Sequence, residues 1–82
     1  MRVLYFAWLR ERVGAGEEEV EPGGAATAGE LVRALIARDE RYARAFEDLG
    51  SVRVAVDQQM GDLDTPIAEA REVAFFPPVT GG

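Results

Sequence analysis

Short, dense runs of apolar residues near both ends of the chain predict β-strands. Residues 3–9 are apolar almost without interruption, which is typical of a strand covered on both faces. Residues 52–56 instead alternate valine with other side chains and predict a strand with one buried face. Residues 72–76 predict a last strand that Pro77 ends, because proline cannot continue a hydrogen-bonded ladder. The acidic segment 17–21 is expected to pair back as an exposed edge strand, where its charges discourage association.

A helical period replaces these patterns in the middle of the chain. Thr27 stands three residues before Glu30, the spacing of a capping box. In that motif the Thr27 hydroxyl accepts from the Glu30 N–H, and the Glu30 side chain reaches back to the Thr27 N–H. One apolar stripe then predicts an amphipathic helix over 28–38 that covers one face of the sheet: Ala28, Leu31, Val32, Leu35 and Ile36.

A second, shorter helix is expected before the alternating strand. Tyr42, Phe46 and Leu49 recur at i, i+4 and i+7, and Gly50 follows as a possible C-cap. We interpret the aromatic pair as core packing rather than as a ligand site.

The remaining stretches predict turns. Residues 14–16 are rich in glycine, residues 58–62 resemble a turn, and residues 63–67 form at most a short bridge that Pro66 interrupts. The order of strand, strand, helix, short helix, strand, strand indicates the α+β class, a mixed sheet with one helix packed across it.

Composition removes most kinds of chemistry that the chain could perform alone. The sequence contains no Cys, no His and no Lys, so disulfides, Cys or His metal sites, Cys or His nucleophile chemistry and Schiff bases are excluded. Asp57, Asp62 and Asp64 lie close together but lack the ligand spacing of an EF-hand, so a solvated turn is the better interpretation. We therefore expect no metal site and no stably bound cofactor.

Charge and hydropathy indicate which partners the chain can have. A net charge of −6 without any arginine-rich run disfavours nucleic acid and favours partners with basic patches. The apolar run over 3–9 is far too short to span a bilayer, and no small-residue cleavage site follows it. We expect a cytoplasmic protein that does not bind membranes.

The C-terminus carries the one feature that suggests chemistry. Pro77 and Pro78 fix their backbone angles and favour an extended chain that leaves the folded body. Gly81 and Gly82 lack side chains and can thread a narrow channel. The terminal carboxylate is anionic at neutral pH and becomes reactive only when an enzyme esterifies it, for example to AMP.

Neighbouring phenylalanines precede this tail and should point to opposite faces of the last strand. If Val73 is buried, Phe75 enters the core and Phe76 faces outward as a candidate interface anchor.

These terminal residues closely resemble a known signature. The segment Glu72-Val73-Ala74-Phe75-Phe76-Pro77-Pro78-Val79-Thr80-Gly81-Gly82 is similar to the C-terminus of the MoaD family, the small subunit of molybdopterin synthase. Residues 3–11 resemble the opening strand of that family, so the resemblance covers essentially the whole chain. Ala70-Arg71 stands where the family usually has a Gly-Asp turn.

The resemblance implies a ubiquitin-like β-grasp fold with four to five strands and one main helix. It implies a single domain over 1–82, with 77–82 as an extended tail, and a carrier that is not an enzyme on its own. Gly82 would be adenylated with ATP by a MoeB-like enzyme and converted to a thiocarboxylate with sulfur from a sulfur-donating protein. A MoaE-like large subunit would bind the carrier in a heterotetramer, in which the sulfur converts cyclic pyranopterin monophosphate to the dithiolene of molybdopterin. The partner-binding residues would be Phe75, Phe76, Pro77, Pro78, Val79, Thr80 and Gly81.

Other functions remain open at this point. A carrier for thiamine synthesis, cysteine synthesis or tRNA thiolation shares the terminal Gly-Gly but generally lacks the Phe-Phe-Pro-Pro segment. A protein modifier would use the same activated carboxyl group to form isopeptides through Gly82. A plain β-grasp binding module would have an inert tail.

Overall fold

The computed structural model describes residues 1–78, so the predictions for Val79, Thr80, Gly81 and Gly82 lie outside the described residues. The elements in chain order are β1 (Arg2–Tyr5), α1 (Trp8–Val13), β2 (Glu17–Glu19), α2 (Ala28–Arg38), α3 (Glu40–Ala45), a 3-10 turn (Leu49–Ser51), β3 (Arg53–Val56), β4 (Gln59–Gly61) and β5 (Glu72–Phe76).

The strands form one five-stranded mixed sheet in the order β2-β1-β5-β3-β4. β1 and β5 pair in parallel, and the other neighbouring pairs are antiparallel. The α+β class with a mixed sheet is confirmed, and so is the position of β2 at a sheet edge. β5 is the central strand, so the segment that leads into the tail is held by a neighbour on each side.

The main helix forms as the sequence predicts. The Glu30 N–H donates to Thr27 Oγ1 at 3.2 Å, which caps the first turn of α2. The return bond differs from the expectation, because Glu30 Oε1 accepts from the Ala26 N–H at 3.3 Å rather than from Thr27. Four members of the predicted stripe are buried against the sheet and Ile36 is half-buried, the four being Ala28, Leu31, Val32 and Leu35.

An aromatic cluster fills the core beneath the end of β5. The Phe46 and Phe75 rings meet edge to face with centroids 5.0 Å apart, and Tyr5 stacks on Phe75 at 6.3 Å. Tyr42 lies 6.4 Å from Tyr5, again between ring centroids. The prediction that Tyr42 and Phe46 serve packing is confirmed, since both are buried.

The predicted strand over 3–9 is wrong in its second half. β1 ends at Tyr5, and α1 begins at Trp8 after Ala7, whose φ of 54° and ψ of −131° turn the chain sharply. Leu9 and Val13 lie one helical turn apart and are both buried, but the apolar run before them conceals this period. Gly14 ends the helix with a φ of 92°, a conformation that glycine adopts without steric cost.

The turn predicted over 58–62 is a hairpin whose second strand is β4. Asp57 and Gln58 form the two-residue connection, with φ angles of 49° and 69°. Consecutive left-handed residues match the twist of antiparallel strands, but sequences usually signal them with Asn-Gly or Asp-Gly. Here the Asp57 carboxylate is an additional support, because its Oδ1 accepts from the N–H groups of Arg71 and Glu72 at 2.9 and 3.0 Å.

The second helix is shorter than the spacing predicts. α3 ends at Ala45, where the Phe46 N–H closes the last turn on the Tyr42 carbonyl. Leu49 is exposed at the start of the 3-10 turn, and Gly50 lies inside that turn instead of capping α3. The short bridge expected near Pro66 is present, paired with Thr27.

Candidate functional site

The two faces of the sheet differ in what covers them. On the inner face, strand residues join the helices in one core cluster, and they are Val3, Tyr5, Val54, Val73 and Phe75. The strand register places the alternate residues on the opposite side, here called the open face, which carries Leu4, Ala55, Met60, Ala74 and Phe76 together with Arg2, Arg53 and Glu72. The open face is therefore the side of the sheet turned away from the core cluster.

Phe75 and Phe76 divide between these faces as the alternation predicts. Phe75 is fully buried beside the buried Val73, whereas Phe76 is half-buried on the open face. The assignment of Phe75 to the partner-binding set therefore needs correction, because a side chain at 0% exposure offers a partner no surface. Phe76 still has exposed surface on the open face, and Arg53 lies opposite it in the register of β3 and β5.

Two exposed apolar side chains extend this surface, and sequence reasoning did not find them. Met60 on β4 is 68% exposed, and Phe6 is 48% exposed. The Phe6 N–H donates to the Phe75 carbonyl at 3.1 Å, so the parallel ladder continues by one residue and alternation turns the Phe6 ring toward the open face. Neither residue carried a usable signal, since Phe6 lies within an apolar run and Met60 within an expected turn.

The base of the tail forms one wall of an open groove. Pro77 and Pro78 are half-buried where β5 ends, and the other walls come from α1 and from the segment after α3. The groove has a volume of about 520 Å³ and is lined by Trp8, Arg12, Glu47, Asp48, Ser51, Pro77 and Pro78. These side chains surround the point where the chain leaves the sheet.

Arg12 ties the walls of this groove together. Its guanidinium donates to the Arg44 carbonyl at 3.1 Å and lies 3.5 Å from Glu47 Oε1. The same group stacks over the Trp8 ring, 4.8 Å from the centroid. The Ser51 hydroxyl donates to Asp48 at 2.8 Å and orders the opposite side.

A polar network anchors the aromatic cluster from below. Glu18 on β2 accepts from the Tyr42 hydroxyl at 2.6 Å and from the Tyr5 hydroxyl at 3.0 Å, and Arg41 contacts the same carboxylate at 3.4 Å. Burial, followed by the neighbouring Glu18 carboxylate, raises the pKa of the Tyr5 phenol well above its usual value. Burial and the bond to Glu18 also raise the pKa of Tyr42. Both phenols stay protonated at neutral pH and act as anchors.

The arrangement presents a surface and a tail rather than a reaction centre. Within residues 1–78, no group of three or more His, Cys, Asp or Glu side chains could hold a metal ion. No helix in the same part of the chain has the length and apolar character that crossing a bilayer requires. What the described residues offer is an apolar sheet face that adjoins the exit of the C-terminal segment.

Comparison with known proteins identifies this arrangement. The model of the ThiS family matches residues 3–82. The molybdopterin synthase sulfur carrier subunit of Escherichia coli (strain K12) is 43% identical over 82 residues, which cover 100% of this chain and 99% of that protein.

Solved structures agree with the sequence relatives. A putative molybdopterin converting factor, subunit 1, from Pyrococcus furiosus superposes with a TM-score of 0.74 at 28% identity and covers 95% of each chain. SAMP1 from Haloferax volcanii superposes with a TM-score of 0.73 at 28% identity, covering 100% of this chain and 98% of that one. The expected β-grasp fold is confirmed. The chain belongs to the ThiS family and, within it, to the MoaD group of molybdopterin synthase sulfur carrier subunits.

Proposed function

We propose that this protein is the sulfur-carrying small subunit of a molybdopterin synthase in the cytoplasm. The observation that carries the proposal is the full-length likeness to the Escherichia coli sulfur carrier subunit, at 43% identity. In this proposal residues 1–82 form one β-grasp domain, and residues 77–82 are the tail that bears the sulfur. A catalytic large subunit of the MoaE type is the partner that receives it.

The chemistry falls on the terminal carboxyl group of Gly82. A MoeB-like enzyme lets this carboxylate attack the α-phosphorus of ATP, and pyrophosphate leaves. A thiol reductant cleaves the S–S bond of a persulfide on a donor protein, and the released hydrosulfide attacks the acyl carbon, displaces AMP and leaves a thiocarboxylate. ATP is consumed by the activating enzyme and is not a cofactor of this chain.

Delivery of sulfur requires two transfers for each product. One thiocarboxylate supplies one sulfur atom, and the dithiolene made from cyclic pyranopterin monophosphate contains two. Water returns the Gly82 carboxylate after each transfer, so the carrier is reused. A heterotetramer of two carriers and two large subunits satisfies this stoichiometry.

The open face supports docking of the large subunit beside the tail. Phe6 and Phe76 offer apolar surface near the end of β5, and Met60 extends this surface two strands away on β4. A net charge of −6 favours basic patches on the same partner. Docking on this face would place the tail, which begins at Pro77, at the edge of the interface, where it can enter the partner.

The test is the intact mass of the protein after incubation with a MoeB-like enzyme, ATP and a sulfur source. We expect a mass gain equal to one sulfur atom minus one oxygen atom, and no gain in a matched variant that lacks Gly82. Adding the large subunit and the pyranopterin precursor should then consume the thiocarboxylate. The absence of any gain, with an enzyme that activates another carrier, would contradict the proposal.

The same experiment separates carriers that serve other pathways. A thiocarboxylate that forms but is not consumed by the large subunit and its precursor would assign the protein to thiamine synthesis, cysteine synthesis or tRNA thiolation instead.

A protein modifier is the second candidate, favoured by one observation. Two structural neighbours with TM-scores of 0.73 and 0.72 are SAMP1 and small archaeal modifier protein 1, both from Haloferax volcanii. Under this candidate the activated Gly82 carboxyl group joins lysine amines of other proteins. This chain has no lysine, so it cannot be linked to its own copies through that side chain. Covalent conjugates on a denaturing gel, absent without Gly82, would favour the modifier.

A further inference from the structure

The groove at the base of the tail contains the one tryptophan of the chain. Trp8 forms a wall opposite Pro77 and Pro78, and its ring is only partly exposed. The proposed function uses the tail and the open face but gives this groove no role. Its position, directly where β5 ends, makes it a feature of the tail rather than of the core.

The fold places Trp8 at this position at a cost. Ala7 adopts φ 54° and ψ −131°, a region that residues with a Cβ rarely occupy, and Trp8 follows it at once. Behind the indole, Leu9 and Val13 fix α1 in the core. Arg12 stacks on the ring and is held in turn by the Arg44 carbonyl and by Glu47. These contacts support the indole on the side away from the tail.

We propose that Trp8, backed by Arg12, is a positioning residue for sulfur transfer. Its indole lines the same groove as Pro77 and Pro78 and limits the orientations in which this base of the tail is presented to a docked partner. Proline fixes φ at residues 77 and 78, and Pro78 also restricts ψ of Pro77, but ψ of Pro78 has no such restriction from a following proline, so an external wall can supply one. The role in sulfur transfer rests on the proposed function, whereas the groove shared by Trp8 and the prolines does not.

The first test separates rate from binding in the assembled synthase. The thiocarboxylated Trp8→Ala variant should transfer sulfur with a kcat lowered about tenfold. A displacement of a reacting group by about 1 Å lowers the rate by this factor or more. Its dissociation constant for the large subunit should stay unchanged, since the open face is intact. Trp8→Phe should recover most of the rate by restoring an aromatic wall.

Leu49→Ala is the matched control for this experiment. Leu49 is an apolar side chain at 36% exposure between two residues that line the groove, but it does not line the groove itself. The control should keep the wild-type kcat. An unchanged kcat in Trp8→Ala, or an equal loss of affinity and rate, would overturn the positioning role.

The second test needs no synthase, because it measures the fluorescence of Trp8 in the groove. Since Trp8 is the one tryptophan, its fluorescence reports the environment of this groove alone. Replacing both tail-base prolines, Pro77→Ala with Pro78→Ala, should shift its emission to longer wavelength as water enters. Leu49→Ala should leave the emission unchanged.

The two tests distinguish failure of this inference from failure of the proposed function. If wild-type carrier transfers no sulfur to the pyranopterin precursor, the proposed function fails, and the fluorescence test still decides whether Trp8 and the prolines share one site. If the emission wavelength of Trp8 does not change after the proline replacements, the inference is overturned, even when the synthase is active.

Discussion

Phe75 and Phe76 are the same amino acid, adjacent in one strand, and the fold uses them for different purposes. Phe75 packs among Tyr5 and Phe46 on the inner face with no exposed surface. Phe76 lies half-buried on the open face, across from Arg53. The alternation of a β-strand, and not residue type, decides which of them stabilises the fold and which can meet a partner.

The same contrast holds for the two faces of the whole sheet. Removing contacts from the inner face should change the free energy of unfolding, whereas changes on the open face should alter partner affinity and leave folding nearly intact. Four substitutions test this division, two of them on the inner face by stability and two of them on the open face by binding together with stability.

Phe75→Ala should have the largest effect. Truncating a fully buried phenylalanine costs about 3–5 kcal/mol, because transfer free energy is lost and a cavity remains in the aromatic cluster. Such a loss consumes most of the stability of a small domain. Urea unfolding measures it. A cost close to that of Phe76→Ala would contradict the assignment of the two faces.

Phe76→Ala should act mainly on binding. Loss of a central apolar anchor typically costs about 2 kcal/mol of affinity or more, which calorimetry with the large subunit measures. Phe76→Leu serves as the control, since it keeps an apolar side chain and should recover much of the affinity. If affinity is unchanged while stability falls strongly, the open face is not the docking surface.

Tyr5→Phe tests the contribution of a single hydroxyl group on the inner face to stability. It removes one hydrogen bond to Glu18, which costs about 1 kcal/mol at neutral pH. The pKa of Tyr5 is raised in the folded state, so its contribution is full below the unfolded pKa of 10.0 and is lost as pH rises beyond it. Wild-type stability should therefore fall with increasing pH above this value, and less steeply in the variant. Parallel pH profiles for the two proteins would refute this account.

Met60→Ser should have the smallest effect on stability. At 68% exposure the side chain contributes little to the core, so the free energy of unfolding should change by less than about 0.5 kcal/mol. Affinity for the large subunit should still decrease, though less than in Phe76→Ala, because Met60 lies two strands away from the tail. Thermal unfolding measures the change in stability, and calorimetry measures the change in affinity. An unchanged affinity would show that β4 is not part of the interface.

The sequence predicts those elements whose signals are local. α2 has a capping residue, a matching glutamate and a continuous apolar stripe, and it forms with the expected bounds. The sequence does not predict α1, because the helix begins after a sharp change of chain direction at Ala7. Alanine favours helices, but here it adopts a positive φ. β4 escapes prediction for a similar reason, since Asp57 and Gln58 make a tight turn without glycine. In both cases tertiary packing overrides the intrinsic preference of the residue.

The candidate site divides in the same way. The tail and its Phe-Phe-Pro-Pro segment are recognisable from consecutive residues, and the alternation of Phe75 and Phe76 follows from strand geometry. Phe6 and Trp8 come from one segment and Met60 from another, and they share a sheet with β5 or a groove with the base of the tail only after the chain has folded. A surface assembled from distant segments leaves no pattern in a single sequence.

The parallel pairing of β1 with β5 joins two segments that lie far apart in the sequence. β5 is the last of the five described strands to be synthesised, and the ion-paired side chains of Arg2 and Glu72 are 70 positions apart. Contacts of such long sequence separation slow folding, because loop closure precedes the gain from packing. A chain that stops before Phe76 lacks the strand that joins both halves of the sheet. Any chain that carries residues 77–82 therefore also carries β5, so a truncation that removes the central strand removes the tail with it.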